Sequence, residues 1–410
     1  MRILLLSLYF EPDIGANAVI VSELAHELDR LGHQITVITS FPHYKGNVLE
    51  DSYRGKLIVK KQRENIHVIR TYIYTSPEKD RFLVRLLNYV SFNILSTLAG
   101  IFSGKQDLIL APSPPLSIGL SAAIIGFFKR IPYVYNVQDI NPDVLIKLGI
   151  LKNPLFIRFS KWLEKFVYQH ARHITVLSEG FKRNLLKKGV PVKKISIVPN
   201  FVDPDFIKPL PRQNSFRKRF ELEGKFIILY AGNLGHSQDL VQILKIAKLK
   251  QGDDKLAFVI VGGGSRKSFL KEKAKTLHLN NVHFIPFQPW EDVPLIYAAA
   301  DVSLVTLKED IALDSVPSKI YTIMASKRPV LAAVDQGSDA WKLIREAKCG
   351  ICVEPDNDRA LLDAISILRQ SPELRNEMGK KGRNFVLKRY TRRVVGKKYH
   401  QLINGLRYGK

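Results

Sequence analysis

The chain reads as an α/β protein made of two Rossmann-like parallel-sheet domains in tandem, and three observations predict it. Short continuous apolar runs alternate with amphipathic stretches, the pattern of strands buried on both faces between covering helices. The alternation stops near residue 200 in a segment rich in proline and charge, FVDPDFIKPLPRQNSFRKRFELEG, and then starts again. Glycine-bearing loops follow strands in both halves. A length of 410 residues suits two domains better than one core.

In the first half, Ile3 to Leu8 predicts a buried strand. The stretch GANAVIVSELAHELDRLGH predicts a helix with Val19, Leu24, Leu28 and Leu31 on one face and Gly32 as its C-cap. QITVITS and IHVIRTYIY predict strands on either side of a loop holding Phe41-Pro42-His43, and apolar helical sequence runs from Phe82 to Phe102. LILAP, YVYNV, HITVLS and SIVPN predict the remaining strands. In the second half FIILYAG, LAFVIVGGG, VHFIP, VSLVTL, RPVLAAV and GICVEP predict strands, with helices over LVQILKIAKLK and SFLKEKAKTLHL. Ligands of such sheets bind beyond the C-terminal ends of the strands. There the chain places Gly15, then Gly232-Asn233-Leu234-Gly235, then Gly262-Gly263-Gly264. Glycine lets the backbone approach a ligand or take positive φ, and tight strand-to-helix turns use it equally. None of these loops is a P-loop or a full dinucleotide fingerprint.

Composition narrows the classes. The two cysteines, Cys349 and Cys352, exclude a disulfide framework and suit a reducing compartment, where they read as packed thiols. The opening MRILLLSLYFEP reads as a strand, not a signal peptide. The best candidate for a membrane span, Leu83 to Phe102, contains Arg85, Asn88 and Asn93, and the run Leu116 to Phe128 is too short. The net charge of +25 calls for an anionic partner or a solvated basic surface. Eleven Lys and Arg stand against two acids between Lys152 and Lys194. Within that stretch Phe156, Phe159, Leu163 and Phe166 recur at helical spacing. Three readings fit: an anionic membrane surface, a nucleic-acid backbone, or a core helix with a basic outer face.

The quoted stretches have a family look when taken in order. YFEPDIGANAVIVSELAHELDRLGHQITVIT resembles the opening of family 4 glycosyltransferases of the GT-B architecture. VLSEGFKRNLLKKGVPVKKISIVPNFVD, YAGNLG, FVIVGGGSRKSFLKEKA, VHFIPFQPWEDVPLIYAAADVSLV and PSKIYTIMASKRPVLAAV follow in that family's order and spacing, so the resemblance spans roughly residues 1–400. The Pro317-Ser318-Lys319 variant is similar to the branch that builds bacterial surface polysaccharides, including fucosaminyl and colanic-acid-type transferases.

The resemblance implies two Rossmann-like domains facing a central cleft: an acceptor domain over 1–203, a nucleotide-sugar domain over 204–385, and a helix over 386–410 that returns to the first domain. It implies that a sugar moves from a nucleotide diphosphate, UDP being the expected nucleotide, to an acceptor hydroxyl with retention at the anomeric carbon. The donor is a co-substrate, and neither a cofactor nor a catalytic metal is expected. Charge building on the leaving oxygen needs preorganised donors. A helix start with Ser318 and Lys319 offers them, as do the amides near Gly232, Asn233 and Gly235. Simple capping by Ser318 is the competing reading.

Relatives often follow the glycine loop with an Arg and a Lys, where this chain has His236-Ser237-Gln238-Asp239. Two glutamates of the family fall on Asp314, toward the donor sugar, and Thr322, toward the ribose. Phe287 falls where relatives present backbone to the base. Gln138 and Asp139 fall where relatives keep a polar pair, and Asp139 is the candidate for positioning the acceptor hydroxyl. His43 and Tyr44 are weaker acceptor candidates, and His33 reads as structural. The resemblance further implies a lipid-linked saccharide acceptor and work on the cytoplasmic face of the cell membrane, peripherally bound, with no nucleic acid. Its rivals are a sugar-nucleotide epimerase of the same architecture and a basic binding protein for nucleic acid or acidic polymer.

Overall fold

The computed structural model describes residues 1–43, 48–76, 82–313 and 315–408. The chain divides into two compact units, residues 1–200 with 392–410, and residues 201–391.

The first unit holds an eight-stranded sheet of β1 (Arg2–Leu6), β2 (Gln34–Ser40), β3 (Ile58–Arg63), β4 (Ile66–Thr71), β5 (Leu108–Pro112), β6 (Tyr133–Val137), β7 (His173–Val176) and β8 (Ile195–Ile197). Its order is β3-β4-β2-β1-β5-β6-β7-β8. Every neighbouring pair is parallel except β3 with β4. The central strands are buried on both faces, as their continuous apolar sequences require. The alternation of the sequence does not announce β3. Ile58 and Val59 give way to Lys60, Lys61, Gln62 and Arg63, so this is a polar edge strand that needs no buried face.

Among the described residues these strands are connected by α1 (Ala16–Arg30), α2 (Phe82–Ile101), α3 (Ile118–Lys129), α4 (Asp143–Lys147), α5 (Pro154–His170) and α6 (Glu179–Lys187). α1 buries Ala18, Val21, Leu24, Ala25 and Leu28, while Val19 and Leu31, expected on that face, lie partly exposed at its margin. Gly32 follows with φ +85°, a left-handed stop that glycine adopts without a Cβ penalty.

The second unit has α7 (Ser215–Arg219), β9 (Phe226–Asn233), α8 (Leu240–Leu249), β10 (Leu256–Gly263), α9 (Lys267–Thr276), β11 (Val282–Ile285), α10 (Val293–Ala299), β12 (Val302–Thr306), α11 (Lys319–Ala325), β13 (Val330–Ala333), α12 (Asp339–Ala347), β14 (Gly350–Val353), α13 (Asp358–Gln370) and α14 (Pro372–Arg389). Its sheet is wholly parallel, ordered β11-β10-β9-β12-β13-β14. Chain direction across the sheet reverses between β9 and β12, and ligands of doubly wound sheets bind at that reversal. Ile228, Tyr230, Phe258, Leu304 and Leu331 lie in the apolar core. Cys349 is buried and Cys352 partly so. Both are free thiols, and burial pushes each up to about 12.

The last helix, α15 (Arg392–Tyr408), packs on α1 in the first unit, where Arg392 pairs with Glu23. His33 Nε2 lies 2.9 Å from His400 Nδ1 on the same helix. The units divide at 200 and 391, a few residues from the divisions read from sequence at 203 and 385. Two contacts account for the shift: Val202 bridges Thr391 within the second unit, and α14 runs on to Arg389 against α11.

Candidate active site

At the C-terminal edge of the second unit's sheet, β9 and β10 end on paired glycines, Gly232 opposite Gly262. Gly232 has φ +142°, and a Cβ there would stand 3.2 Å from Lys319 Nζ. Gly262 has φ +143°, and a Cβ there would collide with the carbonyl oxygen of Gly232. Both positions therefore favour glycine for backbone conformation, and Gly262 requires it for space as well. Leu234 N donates to the Gly263 carbonyl at 2.8 Å and Arg266 N to the Leu234 carbonyl at 2.9 Å, which fixes the loop. The Asn233 side chain lies over Gly235 and Gly264.

Lys319 enters this loop from the start of α11. Its Nζ lies 3.7 Å from the centre of the Tyr230 ring and 3.4 Å from Gln238 Oε1. Among the described residues no carboxylate pairs with it. Burial pushes the ammonium down to about 7. Tyr230 is itself buried, its hydroxyl 2.6 Å from the Asn233 carbonyl and 2.9 Å from Gln238 Oε1. Tyr230 and Gln238 are thus the supports of Lys319; the motif reading noted Gln238 only as one of the departures after the glycine loop and gave Tyr230 no role. One signal was present: Tyr230 and Gly232 stand two apart on one strand, so ring and gap share a face.

Ser318 does not cap α11 with its side chain. It sits in helical conformation at φ −60°, and the helix starts through Ile320 N to Pro317 O and Tyr321 N to Ser318 O, both 3.1 Å. Its hydroxyl and its N–H have no bonding partner among the described residues. Thr322 is half-buried one turn on. Phe287 lays its ring edge on Gly263, where a Cβ would come within 2.8 Å of Cε2, and stays 41% exposed. Of the departures after the glycine loop, Asp239 is a helix cap, its Oδ1 accepting from Gln242 N at 3.4 Å. Asp335 holds the loop before α11 through Asp310 N and Ala312 N, at 2.8 and 3.1 Å. Asp314 lies outside the described residues, as does Tyr44.

In the first unit, Asp139 follows β6 and is half-buried, its carbonyl accepting from Asn141 N at 2.9 Å. Its neighbour Gln138 is committed internally: Nε2 donates to Asn136 Oδ1 at 2.5 Å, and Oε1 accepts from Asn200 Nδ2 at 2.7 Å. Gly15 precedes α1 with φ −68°, an ordinary backbone, so it has no need of the left-handed region. His43 is buried, stacked on Tyr9 with 5.1 Å between ring centres, and its N–H donates to Asp13 Oδ1 at 3.2 Å. Arg70, buried on β4, ties the two loops together by donating to the Ser40 carbonyl at 3.1 Å and to the Glu11 carbonyl. Neither Asp13 nor Arg70 was singled out from sequence. The expected apolar stripe of α5 divides: Leu163 is buried, while Phe156 and Phe159 face outward with Trp162. The core side is instead Leu163, Glu164, Val167 and Tyr168. Among the described residues no group of three or more His, Cys, Asp or Glu side chains converges as a metal site.

Comparison with known proteins agrees with this architecture. Residues 211–385 match the family model for glycosyl transferases group 1, and residues 18–206 match that for glycosyltransferase family 4. A protein of Escherichia coli K12 named as a colanic acid biosynthesis glycosyl transferase, WcaI, is 25% identical over 99% of this chain and 100% of its own. Among solved structures, a sucrose-phosphate synthase from Thermosynechococcus elongatus superposes with a TM-score of 0.77 at 18% identity, covering all of both chains. Anabaena HepE in complex with UDP-glucose gives 0.72 at 17% identity, over 99% of this chain and 100% of its own. Two doubly wound units, each matched by its own transferase model, leave one assignment: the chain is a GT-B glycosyltransferase, with a family 4 first domain and a group 1 second domain.

Proposed function

We propose that this glycosyltransferase moves a sugar from a UDP-sugar to a hydroxyl of a lipid-linked saccharide, with retention, during assembly of a surface polysaccharide at the cytoplasmic face of the membrane. The observation that carries the donor half is Lys319: a desolvated ammonium at the sheet's reversal point, beside a glycine loop, with no carboxylate partner among the described residues. A diphosphate supplies the missing anion. As the bond to the anomeric carbon breaks, charge grows on the leaving phosphate oxygen. Lys319, the Ser318 hydroxyl and the amides near Asn233 and Gly235 stabilise it without reorganising. The reading needs no resident metal, since these groups supply the positive field.

The remaining roles follow the donor's length. The backbone at Phe287 meets the base, Thr322 a ribose hydroxyl, and Asp314 the donor sugar. In the first unit Asp139 positions the acceptor hydroxyl, and the start of α1 at Gly15 lets the substrate approach backbone closely. UDP is favoured by the fold's likeness to HepE bound to UDP-glucose, and a polysaccharide pathway by the relative WcaI. Thermal unfolding with UDP- and GDP-sugars tests the donor, because a ligand stabilises the native state according to its affinity. UDP-sugars should protect and GDP-sugars should not, and the product should keep the donor's anomeric configuration by NMR. Protection by GDP-sugars alone, or inversion, overturns the reading.

A further inference from the structure

The charge of the protein is unevenly placed. Residues 1–200 and 392–410 carry 33 Lys and Arg against 15 Asp and Glu, whereas residues 201–391 carry 30 against 23. The more basic unit also has a broad apolar surface. α3 packs between α2 and α5. Both seams are close: a Cβ on Gly100 would collide with Ile125, and one on Gly119 with Val167. Asn93 Nδ2 donates to Ser117 Oγ at 2.7 Å, and Ser121 Oγ to Asn93 Oδ1 at 3.1 Å, which locks α2 to α3.

The outer side of this layer is greasy. On α2, Leu83, Leu87, Val90, Ile94 and Leu98 recur at helical spacing and are all exposed. Phe102 just beyond it is 81% exposed, Phe127 and Phe128 at the end of α3 are 80% and 63%, and Phe159 and Trp162 stack outward on α5. The window Leu83–Ile101 is long and apolar enough to cross a membrane, yet 33% of it is buried, with Val84, Phe92 and Ala99 turned inward. A crossing would strip that packed side from the protein.

The exposed charge on these three helices has one sign. α2 and α3 contain no acidic residue. The single acid of α5, Glu164, is buried and bonded by Lys188 Nζ at 2.6 Å. Lys105, Arg130, Arg158, Lys161 and Lys165, on these helices or within a few residues of their ends, are exposed. Two copies of such a face would repel one another, whereas anionic headgroups complement it.

We propose that the α2/α3/α5 face docks on an anionic lipid bilayer, with α2 lying in the membrane plane and Phe102, Phe127 and Phe128 entering the acyl boundary. The proposal rests on the reading of a lipid-linked acceptor for its purpose only, since docking needs neither donor nor acceptor. The test is sedimentation of the full chain with vesicles of phosphatidylcholine alone or mixed with phosphatidylglycerol. The parent should bind the mixed vesicles, release them in high salt, and bind about tenfold more weakly as the Phe127→Ser/Phe128→Ser pair, whose thermal midpoint should not change. Equal binding to neutral vesicles overturns the proposal. So does an unaffected pair variant, or a parent dimer that the pair dissolves while neither form binds vesicles.

Fluorophores at Leu83→Cys, Ile94→Cys and Phe102→Cys should report equal shallow depths. A deep Ile94 between shallow ends would mean a crossing helix and overturn the in-plane geometry. Sugar transfer to a water-soluble acceptor separates the two ideas. Transfer without docking leaves the functional reading standing, and docking without transfer leaves the membrane face standing.

Discussion

Two cations of the second unit stand at opposite edges of one sheet, Arg217 fully buried and Lys319 half-buried, and they are treated in opposite ways. Arg217, near the N-terminal ends of β9 and β12, is fully buried and fully answered. Its Nη2 pairs with Asp301 Oδ2 at 2.7 Å, Nε and Nη2 donate to the Ala299 carbonyl at 2.9 and 2.7 Å, and Nη1 donates to the Lys225 carbonyl at 2.8 Å. Asp301 also accepts from Ile227 N at 2.9 Å. Lys319, at the C-terminal edge, has a π-face and one long amide contact. A buried charge is tolerated when paired and costly when not. The paired cation holds strands and α10 in place. The other has no carboxylate beside it among the described residues, and in the proposed function the donor diphosphate answers it.

The paired site depends most on Asp301. Asp301→Ala strips the anion from Arg217 and from Arg212, which also pairs with it, and should cost about 3–5 kcal/mol in urea unfolding. Lys319→Ala should leave that unfolding curve unchanged or improved, because it removes an uncompensated group. Its cost should fall on catalysis instead, with kcat/KM lower by about 10²–10³-fold, the range for losing one preorganised donor to a developing oxyanion. A Lys319→Ala protein that unfolds early yet turns over normally would place the lysine with Arg217 as a structural cation. Gly232→Ala sharpens the same contrast on a smaller scale. The residue must hold φ +142° with its new methyl 3.2 Å from Nζ, which costs about 1–3 kcal/mol of strain or pushes Lys319 aside. Donor affinity should fall about tenfold by titration calorimetry, the lower half of that strain range.

The sheet was legible in the sequence because a parallel strand buried on both faces writes itself as an unbroken apolar run, as ILLL in β1 and FVIV in β10 do. β3 was not, since an edge strand such as IVKKQR has no obligatory pattern. Spacing on α5 put Phe156 and Phe159 on the same face as Leu163, but a stripe of aromatics says nothing about which side of it meets the sheet. Glu164 decides the matter by pairing with Lys188, a partner 24 positions away that periodicity does not see. At the site, motif order singled out Lys319 and Gly232, which are close in space. The groups that desolvate the lysine, Tyr230 and Gln238, are unremarkable by residue type, and their effect arises only where β9 and α11 converge. Ser318 was ambiguous between cap and ligand donor, and its helical φ removes the capping geometry, which needs an extended residue.

The smallest expected effect is also the most specific to this contrast, because only a cation lacking its own anion shows it. Arg217 stays charged at any pH the protein survives. Lys319 does not, since burial holds its ammonium near 7 in the free protein against 10.5 for an exposed lysine. Between pH 7 and 10.5 the unfolded chain binds more protons at this group than the folded one, so the free protein's stability should rise with pH across that window, and Lys319→Met should flatten the rise. A bound UDP-sugar diphosphate reverses the balance by drawing the ammonium pKa upward, so binding above pH 7 takes up a proton. Donor Kd should then be level below pH 6 and weaken about fivefold from pH 7 to pH 8, with proton uptake visible as a buffer-dependent heat. In Lys319→Met both the slope and the buffer dependence should vanish while weak binding persists. A slope retained in that variant would assign the proton to another group and leave the unpaired lysine without a role in donor capture.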